Sequence, residues 1–288
     1  MGKARRGFQR FAVLLFCLIL TADGVAGSGP SIKFGVCDWT LGKSGSPEAF
    51  ALAKKLGFDG VQVSLLPQGD SLVFVDNTKR AAFLDAAGKR GQAIASFALG
   101  ILNDVPLKND PRAERWLGEA IGICRDTGVK VILVPFFGKG DLRNDSAGVD
   151  ACVAALRRLA PNAERAGVVL ALESYLSADE LLKILDRVGS PSVQIYYDVA
   201  NSQAAGLDIA REIPLLGKRI AEIHAKDTKD LYGKGSMDFP LVRKAMEEIG
   251  YGGWFVVEGT KLPLGLEPSL RYDLDYLKTI FRKSEEDR

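Results

Sequence analysis

The chain has 288 residues, 47% hydrophobic and 26% charged, the balance of an ordinary globular protein with no shortage of core. Its formal net charge is +2, but four of its 38 basic residues (Lys3, Arg5, Arg6, Arg10) and one of its 36 acidic residues (Asp23) fall in the first 27, so the remainder carries 34 basic against 35 acidic side chains. A nearly neutral domain gives no electrostatic reason to expect nucleic acid as a partner.

The amino terminus reads as a targeting segment. A basic stretch, Lys3–Arg10, precedes the apolar run Phe11–Leu20, and small residues follow at Gly24–Ser28; this is the order of a secretory signal. The run is too short to span a bilayer comfortably. Arg5-Arg6 also resembles the twin-arginine export signal, and an ordinary Sec signal with a chance arginine pair fits the same residues. The chain therefore divides into an export signal, 1–27, and one folded domain, 28–288, placed in the periplasm or outside the cell, with no membrane insertion of the mature domain. Cys17 leaves with the signal; Cys37, Cys124 and Cys152 have neither disulfide nor zinc spacing and read as small buried residues.

From residue 31 one unit repeats: an apolar strand, a loop, an amphipathic helix. The predicted strands are Ile32–Cys37, Gly60–Ser64, Ala93–Phe97, Val131–Val134, Val168–Leu172, Val193–Tyr197, Ile220–Ile223 and Trp254–Val257, with Pro135 stopping the fourth. Helices follow from Ser46-Pro47 to Gly57, Asn77 to Gly91, Pro111 to Gly128, Ala147 to Ala166, Ser177 to Val188, Asp208 to Leu216, near Pro240 to Gly250, and from near Pro268, where Leu270, Leu274, Leu277 and Phe281 form one stripe. Pro161 falls inside the fourth helix, where a kink or break is expected. The strands are apolar on both faces, as buried parallel strands are. Eight such units in one domain match a closed (β/α)₈ TIM barrel, typically about 250 residues. The competitor, an open doubly wound sheet, would carry a glycine-rich phosphate turn after its first strand, and Cys37-Asp-Trp-Thr-Leu-Gly42 is not one.

The last four strands end in residues that can bind a divalent metal: Glu173, Asp198, His224 and Glu258. Parallel strands put their carboxyl ends on one rim, where TIM barrels carry their chemistry. Neighbouring strands lie about 4.8 Å apart, so four consecutive strand ends can close around one ion. Three carboxylates at such range need a cation to offset them. Each residue alone could be a helix cap or a solvated loop residue; the metal site rests on all four together. Three carboxylates and one imidazole suit one divalent ion, Mn²⁺ first, with Mg²⁺, Co²⁺ or Zn²⁺ also compatible. Lys226 lies two residues past His224 and points the same way; it could bind a substrate oxyanion or pair with Asp227 or an acid on a neighbouring strand. Trp39, at the end of strand one, could stack on a substrate ring or pack under a loop, and Gln62 on strand two is a weaker substrate-binding candidate of the same sort.

The motifs Ala171-Leu-Glu173, Tyr197-Asp198-Val-Ala-Asn201, Ile223-His224-Ala-Lys-Asp227 and Val257-Glu258-Gly259 resemble those of the xylose isomerase-like TIM barrels. That superfamily includes sugar-phosphate isomerases and epimerases, ketose 3-epimerases, hydroxypyruvate isomerase, inosose dehydratase and endonuclease IV. The resemblance covers nearly all of the mature chain. It implies a metal-dependent sugar isomerase or epimerase in which Glu173 and Glu258, on opposite faces of the reacting carbon, remove and return a proton by way of an enediolate. Many epimerases of the group have a histidine at the position of Asn201; asparagine can hydrogen-bond a sugar hydroxyl but cannot act as a charged acid. Endonuclease IV-type sites use several histidines, and His224 is the only one in this chain. A keto-sugar or inosose dehydratase or lyase, and a non-catalytic sugar-binding barrel, are the alternatives. A free keto-sugar suits an exported enzyme without an arginine-rich phosphate clamp better than a sugar phosphate does, and a homo-oligomer is compatible with all of these.

Overall fold

Each apolar run forms a strand, and the eight strands close on one another. The computed structural model of the chain describes residue 2, residues 31–259 and residues 261–281; the export segment lies outside the described residues. The strands are β1 (Lys33–Cys37), β2 (Gly60–Ser64), β3 (Ala93–Ala98), β4 (Val131–Phe136), β5 (Val169–Ser174), β6 (Val193–Asp198), β7 (Ile220–Ala225) and β8 (Trp254–Val257). They are parallel, each pairs with its successor in the chain, and β8 pairs back to β1 in a closed barrel. The single-domain (β/α)₈ expectation is met.

The helices are α1 (Glu48–Leu56), α2 (Asn77–Gly88), α3 (Pro111–Thr127), α4 (Ser146–Ala166), α5 (Ala178–Val188), α6 (Val199–Ala204), α7 (Ile209–Leu216), α8 (Phe239–Glu248) and α9 (Leu266–Phe281). Local chemistry sets their ends. Ser177 and Glu180 form a capping box at α5, and Gly57, Gly128, Gly167 and Gly189 end helices in the left-handed conformation. Four details depart from the sequence expectation. Strand β4 runs on through Pro135: the odd-numbered residues of β4 turn their backbone groups toward β3, as Leu133 does in accepting from Leu99, and β3 has already ended there, so the missing N–H leaves no acceptor of the ladder unpaired. Helix α4 continues unbroken past Pro161, which lies on its exposed side, while Cys152, Val153, Leu156, Leu159, Ala160 and Ala163 are buried against the barrel and hold the turns on either side. The short α6 was not expected, and the loop before α2 contains a two-stranded ribbon, Pro67–Gln68 with Ser71–Leu72.

Most of the apolar core lies between the strands and the helix ring, and a smaller set of side chains fills the barrel itself. At the amino-terminal end of the barrel Trp254 packs so close to Gly60 that a Cβ there would sit 2.7 Å from the indole. Helix α9 closes the seam between β1 and β8: Phe281 packs on Phe34 and Phe255, at ring separations of 6.0 and 5.2 Å, and Leu270, Leu274 and Leu277 are fully buried behind it. Leu274→Ala is expected to cost about 2–5 kcal/mol, read as a lowered urea midpoint with an unchanged slope. A loss below about 1 kcal/mol would mean that α9 does not seal the barrel.

Candidate active site

Four strand ends deliver four ligand-type atoms to one point. Glu173 is the penultimate residue of β5, Asp198 the last of β6 and His224 the penultimate of β7, while Glu258 follows the last residue of β8. The register pairs Asp198 with His224 and Val257 with Ala225, which levels these residues at the carboxyl rim. One atom from each of the four lies within 4.8 Å of those of the other three, close enough to share a cation. His224 Nδ1 faces the carboxylates, 3.1 Å from Glu173 Oε1, 3.7 Å from Asp198 Oδ2 and 3.9 Å from Glu258 Oε2. Asp198 divides its work: Oδ1 accepts from the Asn201 backbone N–H at the start of α6 (2.8 Å), while the buried Oδ2 makes no hydrogen bond. A buried carboxylate oxygen without a hydrogen bond, among three other oxygen and nitrogen ligands, fits a divalent ion.

The remaining candidates take up different posts. Lys226 sits at the pocket, not against Asp227: its Nζ is 2.6 Å from Glu258 Oε2, 3.4 Å from Asp198 Oδ2 and 3.4 Å from Asn201 Oδ1. Asp227 instead accepts from the backbone N–H groups of Lys229 and Met237 and staples the loop after β7. Asn201 bridges the two halves of the pocket by donating its amide to Glu173 Oε1 (3.3 Å). Trp39 donates Nε1–H to Glu258 Oε1 (3.1 Å) and stands edge-on to the His224 ring, so it walls the pocket. Gln62 does not reach the pocket mouth. It is fully buried beneath His224 with both ends of its amide hydrogen-bonded, which removes it from contact with a sugar.

Three further buried residues lie below the rim: Ser96, Tyr196 and Glu222. Ser96 donates to Glu222 Oε2 (2.7 Å), and Tyr196 lies with its ring 4.3 Å from that of His224. Glu222 is two residues before His224, and that spacing was the one available signal that a carboxylate enters the barrel.

Burial dominates the electrostatics. It raises Glu173 to about 7, against the opposing charge of His224, and Glu222 to about 8, against the Ser96 hydrogen bond. Burial works against ionisation of Asp198 too, but His224, Lys226 and the Asn201 N–H hold its pKa below the ordinary value. Burial disfavours a charged His224 ring, yet Cys37, Glu173 and Asp198 around it raise its pKa well above the usual one.

A family model described as the xylose isomerase-like TIM barrel matches residues 50–280. Curated relatives include a 2-epi-5-epi-valiolone 7-phosphate 2-epimerase of Actinoplanes sp., 32% identical over 180 residues, which are 62% of this chain and 66% of the relative. An L-ribulose-5-phosphate 3-epimerase of Escherichia coli is 28% identical over 229 residues, 73% of this chain and 81% of its own. Among solved structures, a D-psicose 3-epimerase with D-tagatose from Clostridium cellulolyticum H10 superposes with a TM-score of 0.75 at 17% identity, over 87% of this chain and 100% of that one, a likeness of fold.

Glu173, Glu222 and His224 all have folded-state pKa values above their ordinary ones, so their contribution to stability is fully present below the unfolded-state values and is lost as pH rises through the folded ones. In chelator, the urea midpoint should therefore fall between about pH 5 and about pH 8.5, and Glu222→Gln should flatten that fall. A midpoint that rises over the same range would contradict these environments.

Proposed function

The chain belongs to the xylose isomerase-like TIM barrel family and is an enzyme of the isomerase and epimerase kind, and we propose that it is a divalent-metal-dependent epimerase or isomerase of a keto-sugar, working through an enediolate. The observation that carries this is the meeting of Glu173, Asp198, His224 and Glu258 within 4.8 Å. A divalent cation held by these four, Mn²⁺ first given the oxygen-rich set, supplies Lewis-acid stabilisation of the charge that develops on substrate oxygens.

The chain's own groups do the rest. Glu173 and Glu258 come from strands three places apart around the barrel, so their carboxylates approach a substrate from different sides. One takes the proton from the carbon beside the carbonyl and the other returns one. Return to the same carbon from the opposite side inverts it; return to the neighbouring carbon isomerises the sugar. Lys226 and Asn201 offer N–H donors to the oxygens of the enediolate, and the Trp39 indole holds Glu258 in place. Trp39 at the rim and Tyr196 below it pack their rings beside His224.

A free keto-sugar fits better than a phosphorylated one. Among the described residues, Arg143 is the only arginine on the loops that follow the strands, and it is held by Asp141 and stacked on Tyr175. We place the enzyme outside the cytoplasm on the strength of the amino-terminal basic and apolar stretches, where unphosphorylated sugars are met; fractionation of cells producing the full chain checks this.

Two measurements test the function. Adding Mn²⁺ to chelator-treated protein should raise its melting temperature, and Asp198→Asn should remove that rise. By NMR in D₂O, the wild type with Mn²⁺ should place solvent deuterium on the carbon beside the carbonyl of a keto-sugar without loss of water, and Glu258→Gln should slow this by about 10²–10⁴-fold. Deuterium uptake that Glu258→Gln leaves unchanged, or release of water with each turnover, would overturn the assignment.

A further inference from the structure

His224 has two ring nitrogens, and only one faces the carboxylates. The other, Nε2, points down into the barrel, 2.8 Å from Gln62 Oε1. An amide oxygen can only accept, so this contact requires a proton on Nε2. What keeps the oxygen, rather than the NH₂ group, toward the ring is a chain of buried side chains from the adjacent strands β2 and β3 and, across the barrel, from β7. Gln62 Nε2 donates to Ser96 Oγ (2.9 Å), and Ser96 donates its hydroxyl to Glu222 Oε2 (2.7 Å). With its one proton given to Glu222, Ser96 offers Gln62 only a lone pair. Cys37 adds a second lock, its S–H donating to Gln62 Oε1 (3.2 Å). Turning the amide over would break both contacts and set NH₂ against the ring. Protonation of Glu222 on its other oxygen leaves this polarity intact. Gln62, Ser96 and Glu222 are each almost wholly buried, so no water competes for these donors and acceptors.

Resting on the cation-site reading above, we infer that the buried series Glu222–Ser96–Gln62 is a positioning device that fixes Nε2 as the protonated nitrogen of His224 and reserves the Nδ1 lone pair for the metal. The opposite tautomer would aim an N–H at the ion and forfeit the ligand. Outer partners of a metal-bound histidine are generally worth about 10–100-fold in metal affinity. The three residues touch neither the ion nor the substrate; they act through the ring.

The chain's single histidine makes the test direct. The full chain, carried on a histidine-free tag and labelled with ¹⁵N-histidine, gives one imidazole in long-range ¹H–¹⁵N spectra. Nε2 should carry a proton both in chelator and with Zn²⁺, and only Nδ1 should shift on adding Zn²⁺. Gln62→Met, which keeps the volume and removes the acceptor, should weaken Zn²⁺ binding about 10–100-fold in competition with a fluorescent chelator. Gln62→Glu, which keeps an acceptor, should restore most of it. If Gln62→Met does not fold, Ser96→Ala should weaken binding in the same direction but less. An unprotonated Nε2 in either spectrum, or equal Zn²⁺ affinity in wild type, Gln62→Met and Ser96→Ala, would overturn the inference. A wild type that binds no divalent ion while Nε2 remains protonated would instead count against the cation site, and so the two failures are distinguishable.

Discussion

The whole arrangement depends on one electrostatic constraint: three carboxylates are driven into a space a few ångströms across at the mouth of a barrel. The closed sheet leaves them no choice. Parallel strands in register end on one rim, and β5 to β8 each end in a ligating residue, so the carboxylates of Glu173, Asp198 and Glu258 converge on His224 whatever their mutual repulsion. Such a cluster is stable only with positive charge inside it. The chain supplies part of that charge itself. Lys226 reaches Glu258 and Asp198, and the raised pKa of His224 favours a second positive group among the acids.

The polar groups sort into two levels. At the rim, Trp39, Asn201 and Lys226 hold the carboxylates from the open side, where a sugar would meet them. Below, Cys37, Gln62, Ser96 and Glu222 form a connected set in a barrel otherwise filled by apolar side chains such as Leu133 and Val256. Burying four such groups is costly unless each finds a partner, and each does. The lower level therefore supports the upper one: it orients the imidazole that sits between them.

Much of this was legible in the chain. The strand positions came from short apolar runs at helix-length spacing, and barrel closure from their number. The rim cluster was readable because Glu173, Asp198, His224 and Glu258 each break an apolar run at its carboxyl end. What escaped did so for physical reasons. A strand buried on both faces has no polar side, so nothing in Gly60–Ser64 or Ala93–Phe97 says whether Gln62 and Ser96 face the barrel or the helices. Local rule makes Pro135 and Pro161 breakers, yet a departed neighbour strand and a buried helix face neutralise them. The position of Asp198, at a strand end before a helix, suits either a cap or a ligand, and its two oxygens permit both. The partner of Lys226 is set by the barrel's cross-section, which sequence spacing alone does not encode.

The most direct test of the central claim is anomalous diffraction from crystals of the protein grown with Mn²⁺ and measured near the manganese edge. A single strong peak bounded by Glu173, Asp198, His224 Nδ1 and Glu258, with ligand distances of roughly 2.0–2.4 Å, is the predicted result. A map with no peak among these four side chains, or with manganese bound only elsewhere on the molecule, would contradict the account.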